Sequence, residues 1–266
     1  MPPANTTELI NPVKARMQAG DVALGMIVRL SRSGDIALVA KTSGHDFIFI
    51  DGQHALFSLE TIGHIAQAAL GCGVAPLVRV GSCRHPDTSL ILDNGAMGIV
   101  FPDVNTSADA KAAVDACKFP PIGKRSVSGG YQVFDFRPVS TGQSVRALND
   151  STLVVCMIET REGLSNVEQI AAVEGVDVIH VGCNDLLNDM GKPGQFGDPE
   201  VVAAVERVIA AAKAHGKYAG LGGERDLERQ LAFIRKGVRF VTTQTDLGLL
   251  MAAATQRAEQ IRKGLK

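Results

Sequence analysis

The chain has 266 residues, of which 45% are hydrophobic and 21% are charged, and its formal net charge at pH 7 is −1. This balance is ordinary for a globular protein and gives no electrostatic reason to expect nucleic acid or an anionic membrane as a partner. No apolar run is long enough to cross a bilayer, and the first residues lack the regions of a signal peptide, so we expect a cytoplasmic protein without membrane association.

Short apolar strands alternate with amphipathic helical segments along the chain. The predicted strands span residues 24–30, 47–51, 75–80, 98–104, 152–158, 177–182, 218–221 and 239–243. The predicted helices span residues 35–41, 58–70, 86–93, 107–118, 163–174, 199–215, 226–236 and 247–265. Eight strand-plus-helix units predict an α/β fold, a single (β/α)₈ TIM barrel domain over residues 1–266. A doubly wound open sheet is the alternative, although no glycine-rich nucleotide-binding motif supports it.

One carboxylate follows each of two successive strands in the middle of the chain. Glu159 comes directly after the strand at 152–158, and Asp185 stands just beyond the strand at 177–182. Because ligands bind at the carboxyl ends of parallel strands, the two acids can converge on one divalent cation, with waters and substrate oxygens as further ligands. The alternative is that each acid caps a helix N-terminus.

Two other strand ends carry groups suited to proton transfer and anion binding. His54 stands three residues after Asp51, a spacing that would let the carboxylate orient the imidazole, although a hydrogen-bonded turn histidine is the alternative. Arg79 ends an otherwise apolar strand, where it needs an anion, either a substrate or a strand-end acid. A cation, an arginine and a histidine at one barrel mouth are suited to stabilising an enolate.

The remaining candidates lie in the loops. Residues 119–150 form a long segment whose basic residues could hold an anionic substrate, and a solvated flexible loop is the alternative. Arg29 and Arg32 follow the first strand. Cys183, just before Asp185, is interpreted as part of the pocket lining and not as a nucleophile, because no histidine stands beside it.

Six motifs occur in order along the chain. They are FIFIDGQH (47–54), LVRV (77–80), LDNGA (92–96), PIGKRS (121–126), IETREGLSNV (158–167) and VDVIHVGCNDLLNDMG (176–191). With these motifs the chain resembles, from about Lys14 to Gln256, the metal-dependent class II pyruvate aldolases of the HpcH/HpaI aldolase family. That family includes 4-hydroxy-2-oxoheptanedioate aldolase and 2-keto-3-deoxy sugar-acid aldolases.

The resemblance implies a (β/α)₈ barrel and a set of catalytic roles. Glu159 and Asp185 would bind Mg²⁺, Mn²⁺ or Co²⁺, and pyruvate would chelate the metal through its keto oxygen and carboxylate. Arg79 would neutralise the pyruvate enolate. His54, paired with Asp51, would be the acid–base group acting through water.

The resemblance also implies binding residues and an assembly. Asp93 would add a contact behind the site or to a neighbouring subunit. The substrate-binding residues would be Gly182, Cys183, Asn184, Met157 and Arg125. The family is commonly hexameric, so the last helix, at about 247–265, is expected to pack on a neighbouring subunit of a homo-oligomer.

The function implied is a lyase that reversibly cleaves 4-hydroxy-2-oxo acids to pyruvate and an aldehyde. The first alternative is an oxaloacetate decarboxylase or a citrate-synthase-like enzyme that uses the same enolate site, and the extra arginines Arg29 and Arg32 would suit such a polyanionic substrate. The second alternative is a noncatalytic protein that binds a metal and a 2-oxo acid.

Overall fold

The structure is a computed structural model that describes residues 9–265 of the chain. Its strands are β1 (Ala23–Val28), β2 (Phe47–Asp51), β3 (Ala75–Arg79), β4 (Gly98–Phe101), β5 (Leu153–Ile158), β6 (Val178–Gly182), β7 (Tyr218–Gly222) and β8 (Val238–Thr245). All neighbouring strands run parallel, and β8 pairs with β1 to close the barrel. The (β/α)₈ prediction is therefore confirmed.

Helices connect the strands and cover the barrel. They are α1 (Pro12–Gln18), α2 (Asp35–Thr42), α3 (Leu59–Cys72), α4 (Thr88–Asp93), α5 (Ser107–Cys117), α6 (Thr141–Ser151), α7 (Arg161–Ser165), α8 (Val167–Ala171), α9 (Cys183–Asp189), α10 (Pro199–Ala214), α11 (Leu227–Lys236) and α12 (Asp246–Gly264). No helix within the described residues has the length and apolar character needed to cross a membrane.

Three helices, α1, α6 and α9, have no counterpart among the predicted helices. Two predicted segments are also organised differently in the structure. The stretch 119–150 is not one continuous loop, because it contains a 3₁₀ turn at Gln132–Phe134 and all of α6 except its last residue, Ser151. The single helix predicted at 163–174 is divided into α7 and α8 at Asn166, which leaves the helical conformation. The Asn166 side chain donates to the carbonyl oxygen of Asn105 at 2.8 Å, a tertiary contact that periodicity does not reveal.

The strands are buried on both faces, which explains their continuous apolar sequences. Inside the barrel Phe47 and Phe240 stack with ring centroids 4.4 Å apart. Gly25 on β1 makes room for this pair, since a Cβ atom there would lie 2.0 Å from the Phe47 ring. A second apolar layer fills the space between the strands and the surrounding helices.

The last helix, α12, differs from the others in its exposure. Asp246 at its first position is its only buried residue among those described, while Leu250, Met251 and Ile261 are exposed. The helix therefore presents apolar side chains that the rest of this chain does not cover.

Candidate active site

Polar residues that end β2 and β3 or follow β5 and β6 lie at the same end of the barrel, because all the strands are parallel. The register between β2 and β3 places Asp51 directly opposite Arg79. Glu159 follows β5, and Asp185 lies in the first turn of α9 after β6. Four of the predicted site residues thus lie at one mouth, at the face where (β/α)₈ barrels bind their ligands.

Asp51 is the centre of a network of charged hydrogen bonds. It is fully buried and accepts from Arg79 at 2.9 Å (Nε) and 2.6 Å (Nη2), and from Arg29 Nε at 2.5 Å. Burial by itself would raise the pKa of Asp51, but the bonds and charges of the two arginines outweigh it and hold the pKa below its usual value. The sequence offered two anions for Arg79, a substrate or a strand-end acid. In the structure Arg79 forms a salt bridge with the strand-end acid Asp51.

The predicted pairing of Asp51 with the imidazole of His54 is wrong in this structure. Asp51 accepts from the backbone N–H of His54 at 3.2 Å, while its oxygens are occupied by the two guanidinium groups. The turn at 52–54 points the backbone towards the carboxylate and leaves the His54 side chain exposed. The role of His54 in proton transfer stays a prediction, without Asp51 as its orienting partner.

Glu159 is a buried carboxylate that is only half satisfied. Its Oε1 accepts from the backbone N–H of Asp103 at 2.8 Å, whereas its Oε2 is buried without a hydrogen-bond partner. Burial raises the pKa of Glu159 to about 7, the Asp103 N–H opposes this rise, and the charges of Asp103 and Asp185 add to it. A buried anion in this state needs a cation or a proton.

Gly182 brings the β6 backbone close to that oxygen. A Cβ atom at this position would lie 2.5 Å from Glu159 Oε2, so only glycine leaves the carboxylate in place. Asp185 is exposed at the same mouth, and its charge acts on Glu159. Two carboxylates, one with an orphaned oxygen, fit a hard divalent cation such as Mg²⁺ or Mn²⁺. No group of three or more His, Cys, Asp or Glu that could hold a metal ion occurs in residues 9–265, so such a cation would take its other ligands from water and substrate.

Three predicted substrate-binding residues lie around this pair. Met157 and Cys183 are buried, and Asn184 is exposed at the mouth. Burial raises the pKa of the Cys183 thiol to about 12, which keeps it protonated near neutral pH and agrees with its interpretation as lining.

Asp93 and Arg125 are not brought to this mouth within one chain. Asp93 ends α4 and Arg125 follows α5, and both helices return the chain to the opposite face of the barrel. Arg125 Nη2 donates to Asp93 at 2.6 Å, and its buried guanidinium lies 4.7 Å from the Phe119 ring centroid. Arg125 therefore has no contact with the candidate site of its own chain, because the segment after α5 folds against the amino ends of the strands.

One residue that holds the mouth together was missed by sequence reasoning. Asp246 begins α12 and accepts from the backbone N–H groups of Arg29, Leu30 and Ser31, at 2.9, 3.0 and 2.8 Å. The signal was an acid directly after a strand, as for Glu159, but the last strand was predicted to end at 243 and not at Thr245.

Comparisons with known proteins agree with the fold. Residues 25–253 match the family model described as HpcH/HpaI aldolase/citrate lyase. A 4-hydroxy-4-methyl-2-oxoglutarate aldolase of Chaetomium globosum is 41% identical over 95% of this chain and 96% of its own length.

Two solved structures are also similar. An HpcH/HpaI aldolase from Desulfitobacterium hafniense DCB-2 superposes with a TM-score of 0.89 at 29% identity, covering 94% of this chain and 96% of its own. The citrate synthase SbnG superposes with a TM-score of 0.84 at 28% identity, covering 98% and 100% of the two chains.

Proposed function

Because the chain belongs to the HpcH/HpaI aldolase/citrate lyase family, we propose that this carbon–carbon lyase reversibly cleaves 4-hydroxy-2-oxo acids to pyruvate and a carbonyl acceptor. One observation carries the proposal. The orphaned carboxylate oxygen of Glu159, a place for a cation, and the buried Arg79 guanidinium lie at the same barrel mouth. Negative charge that develops between them would be stabilised by that cation on one side and by Arg79 on the other.

Glu159 and Asp185 are the residues that would hold the divalent cation. When bound, a cation such as Mg²⁺, Mn²⁺ or Co²⁺ supplies Lewis-acid stabilisation of the negative charge on a 2-oxo acid. The fit rests on the unpartnered Glu159 oxygen and on the short approach that Gly182 permits.

Cleavage requires two proton transfers and the shift of one electron pair. The C4 hydroxyl loses its proton, the C3–C4 bond breaks to leave a carbonyl on the departing fragment, and the electron pair becomes the enolate of pyruvate. A proton delivered to C3 completes the pyruvate. His54, exposed at the mouth, would move these protons through water.

Arg79 is the group that would stabilise the enolate. Its Nε and Nη2 are held by Asp51, while its Nη1 donates to no protein acceptor among residues 9–265 and remains available to a substrate oxygen. Because Asp51 fixes the guanidinium before the substrate arrives, the stabilisation costs little reorganisation during the reaction.

The substrate of the similar fungal aldolase carries a second carboxylate and yields pyruvate as its acceptor fragment. We therefore propose that the carbonyl acceptor of this chain is either an aldehyde, as expected above, or a 2-oxo acid. A second candidate function is oxaloacetate decarboxylation or citrate formation at the same site, which the similarity to a citrate synthase favours.

We also propose a homo-oligomer, with a hexamer as the expected state. The exposed apolar side chains of α12 support packing on a neighbouring subunit. Asp93 and Arg125 lie away from their own site, so their proposed roles require a neighbouring copy. The cytoplasmic location stays a prediction.

Pyruvate release, coupled to lactate dehydrogenase, tests the function. The chelator-treated protein is assayed with and without Mn²⁺ on 4-hydroxy-4-methyl-2-oxoglutarate, on a 2-keto-3-deoxy sugar acid and on oxaloacetate. Release from the hydroxy acids that depends on Mn²⁺ is expected. Release from oxaloacetate alone supports the second candidate, and failure to exchange the methyl protons of pyruvate in deuterium oxide would exclude any enolate chemistry.

A further inference from the structure

Arg29 occupies the mouth without a role in the steps above. β1 ends at Val28, so Arg29 begins the loop over the site. Its Nε and the Nη2 of Arg79 donate to the same oxygen of Asp51, at 2.5 and 2.6 Å. The two guanidinium groups therefore lie side by side, but the Arg79 side chain is 6% exposed and that of Arg29 is 37% exposed. Arg29 is the one that faces the open mouth.

The groups around Arg29 carry an excess of positive charge, which an anion would balance. Asp51 supplies one negative charge to two guanidinium groups, and the terminal nitrogens of Arg29 donate to no protein acceptor among residues 9–265. Arg225 adds another positive charge near Arg29. Burial lowers the pKa of Arg225, and the charge of Arg29 lowers it further. The Arg225 guanidinium itself donates to the carbonyl oxygen of Thr243 at 3.1 Å.

The neighbouring arginine is held differently. The Nη1 of Arg32 donates to the carbonyl oxygens of Arg29 and Leu30 at 2.8 and 3.0 Å, and its guanidinium lies 3.9 Å from the Phe57 ring centroid. Arg32 thus closes the turn after β1. With Asp246 binding the backbone N–H groups of the same turn, the loop is fixed from two sides and Arg29 is positioned before any substrate binds.

We propose that Arg29 binds a second carboxylate on the substrate, carried by the acceptor fragment, and thereby selects diacids over monoacids that have the same reacting atoms. This inference rests on the proposed function. The planar guanidinium with two free terminal nitrogens matches a carboxylate in two parallel hydrogen bonds. The positive charges of Arg29 and Arg225 then balance an acid group that the cation and Arg79 leave unpaired.

Two substrates that differ in one group test the proposal. In 4-hydroxy-4-methyl-2-oxopentanoate a methyl group replaces the distal carboxylate of 4-hydroxy-4-methyl-2-oxoglutarate, so the reacting atoms are the same. We expect the wild type to favour the diacid in kcat/KM. In Arg29→Leu the ratio of the two kcat/KM values should fall roughly 10- to 100-fold, the range for a lost hydrogen bond to a charged group. Arg29→Lys should keep part of the preference.

The ratio separates binding from a structural role. An Arg29 that only holds Asp51 would lower both kcat/KM values equally and leave the ratio unchanged, which would overturn the proposal. A misfolded fraction also cancels from the ratio, and Arg29→Lys serves if the leucine variant does not fold. Arg207→Leu is the matched control, because Arg207 is a partly exposed arginine that pairs with Glu168 on the helices outside the barrel, and its ratio should equal that of the wild type.

Exchange of the methyl protons of pyruvate tests the proposed function independently of the role of Arg29. A wild type that exchanges the methyl protons of pyruvate but shows no preference for the diacid overturns the role of Arg29 alone. A wild type without that exchange overturns the enolate site, and the role of Arg29 with it.

Discussion

Asp51→Asn is the substitution that most directly tests the network at the barrel mouth. The change keeps the shape of the side chain but removes its charge. The amide also turns one acceptor into a donor that faces the N–H groups of Arg79 or Arg29. Arg79, which is 5% exposed, is then left as a buried charge without its counter-ion.

The expected cost follows from that burial. Breaking a buried ion pair by removing one partner costs about 3–5 kcal/mol of the free energy of unfolding. Arg29 is not counted in this figure, because water screens its partly exposed side chain. The rate of methyl-proton exchange in pyruvate should fall about 100-fold or more, since Arg79 loses the contact that aims it.

Urea-induced unfolding and proton exchange followed by NMR measure the two effects. Glu168→Gln is the matched control, because Glu168 forms a two-contact pair with Arg207, at 2.9 Å in each contact, on the exposed surface. That control should lose less than about 1 kcal/mol and keep its exchange rate. An Asp51→Asn variant as stable and as active as the control would refute the account of this network.

The other predictions concern the carboxylate pair and a buried histidine. Asp185→Asn should abolish Mn²⁺ binding in calorimetry together with exchange, and retention of both would remove Asp185 from the site. Gly182→Ala places a Cβ atom 2.5 Å from Glu159 Oε2 and should weaken Mn²⁺ binding about tenfold or more, whereas Gly71→Ala, which meets nothing within 4 Å, should not change it. His180 lies on β6, is 1% exposed, and has its ring centroid 5.4 Å from that of Phe240. Burial, and then the charge of Arg79, lower its pKa to about 3. Below pH 6.5 the unfolded chain therefore takes up a proton at this histidine that the folded chain does not, and stability falls. Between pH 7.5 and 5.5 the wild type should lose about 1.4 kcal/mol more than His180→Gln in urea unfolding, and equal losses would contradict this.

Local sequence was enough to locate the strands and three of the acids at their ends, Asp51, Glu159 and Asp185, although Asp246 was missed. Strands buried on both faces need continuous apolar runs, and the run before Glu159 is readable for that reason. Since parallel strands end at one face, Asp51, Arg79, Glu159 and Asp185 could be assigned to one mouth from their positions alone. Eight such units sufficed to predict the closed barrel.

The contacts among those residues were decided only by tertiary structure. The register between β2 and β3 places Asp51 opposite Arg79, so Asp51 accepts hydrogen bonds from Arg79 and not from the His54 imidazole. Such a bond depends on the direction of the side chains and not on their spacing in sequence. Arg125 lies at the opposite face because its segment packs against Phe119 after α5. The sequence by itself therefore determined which strand-end residues reach the barrel mouth. Long-range packing decided which of them touch, since those contacts join segments that local patterns treat separately.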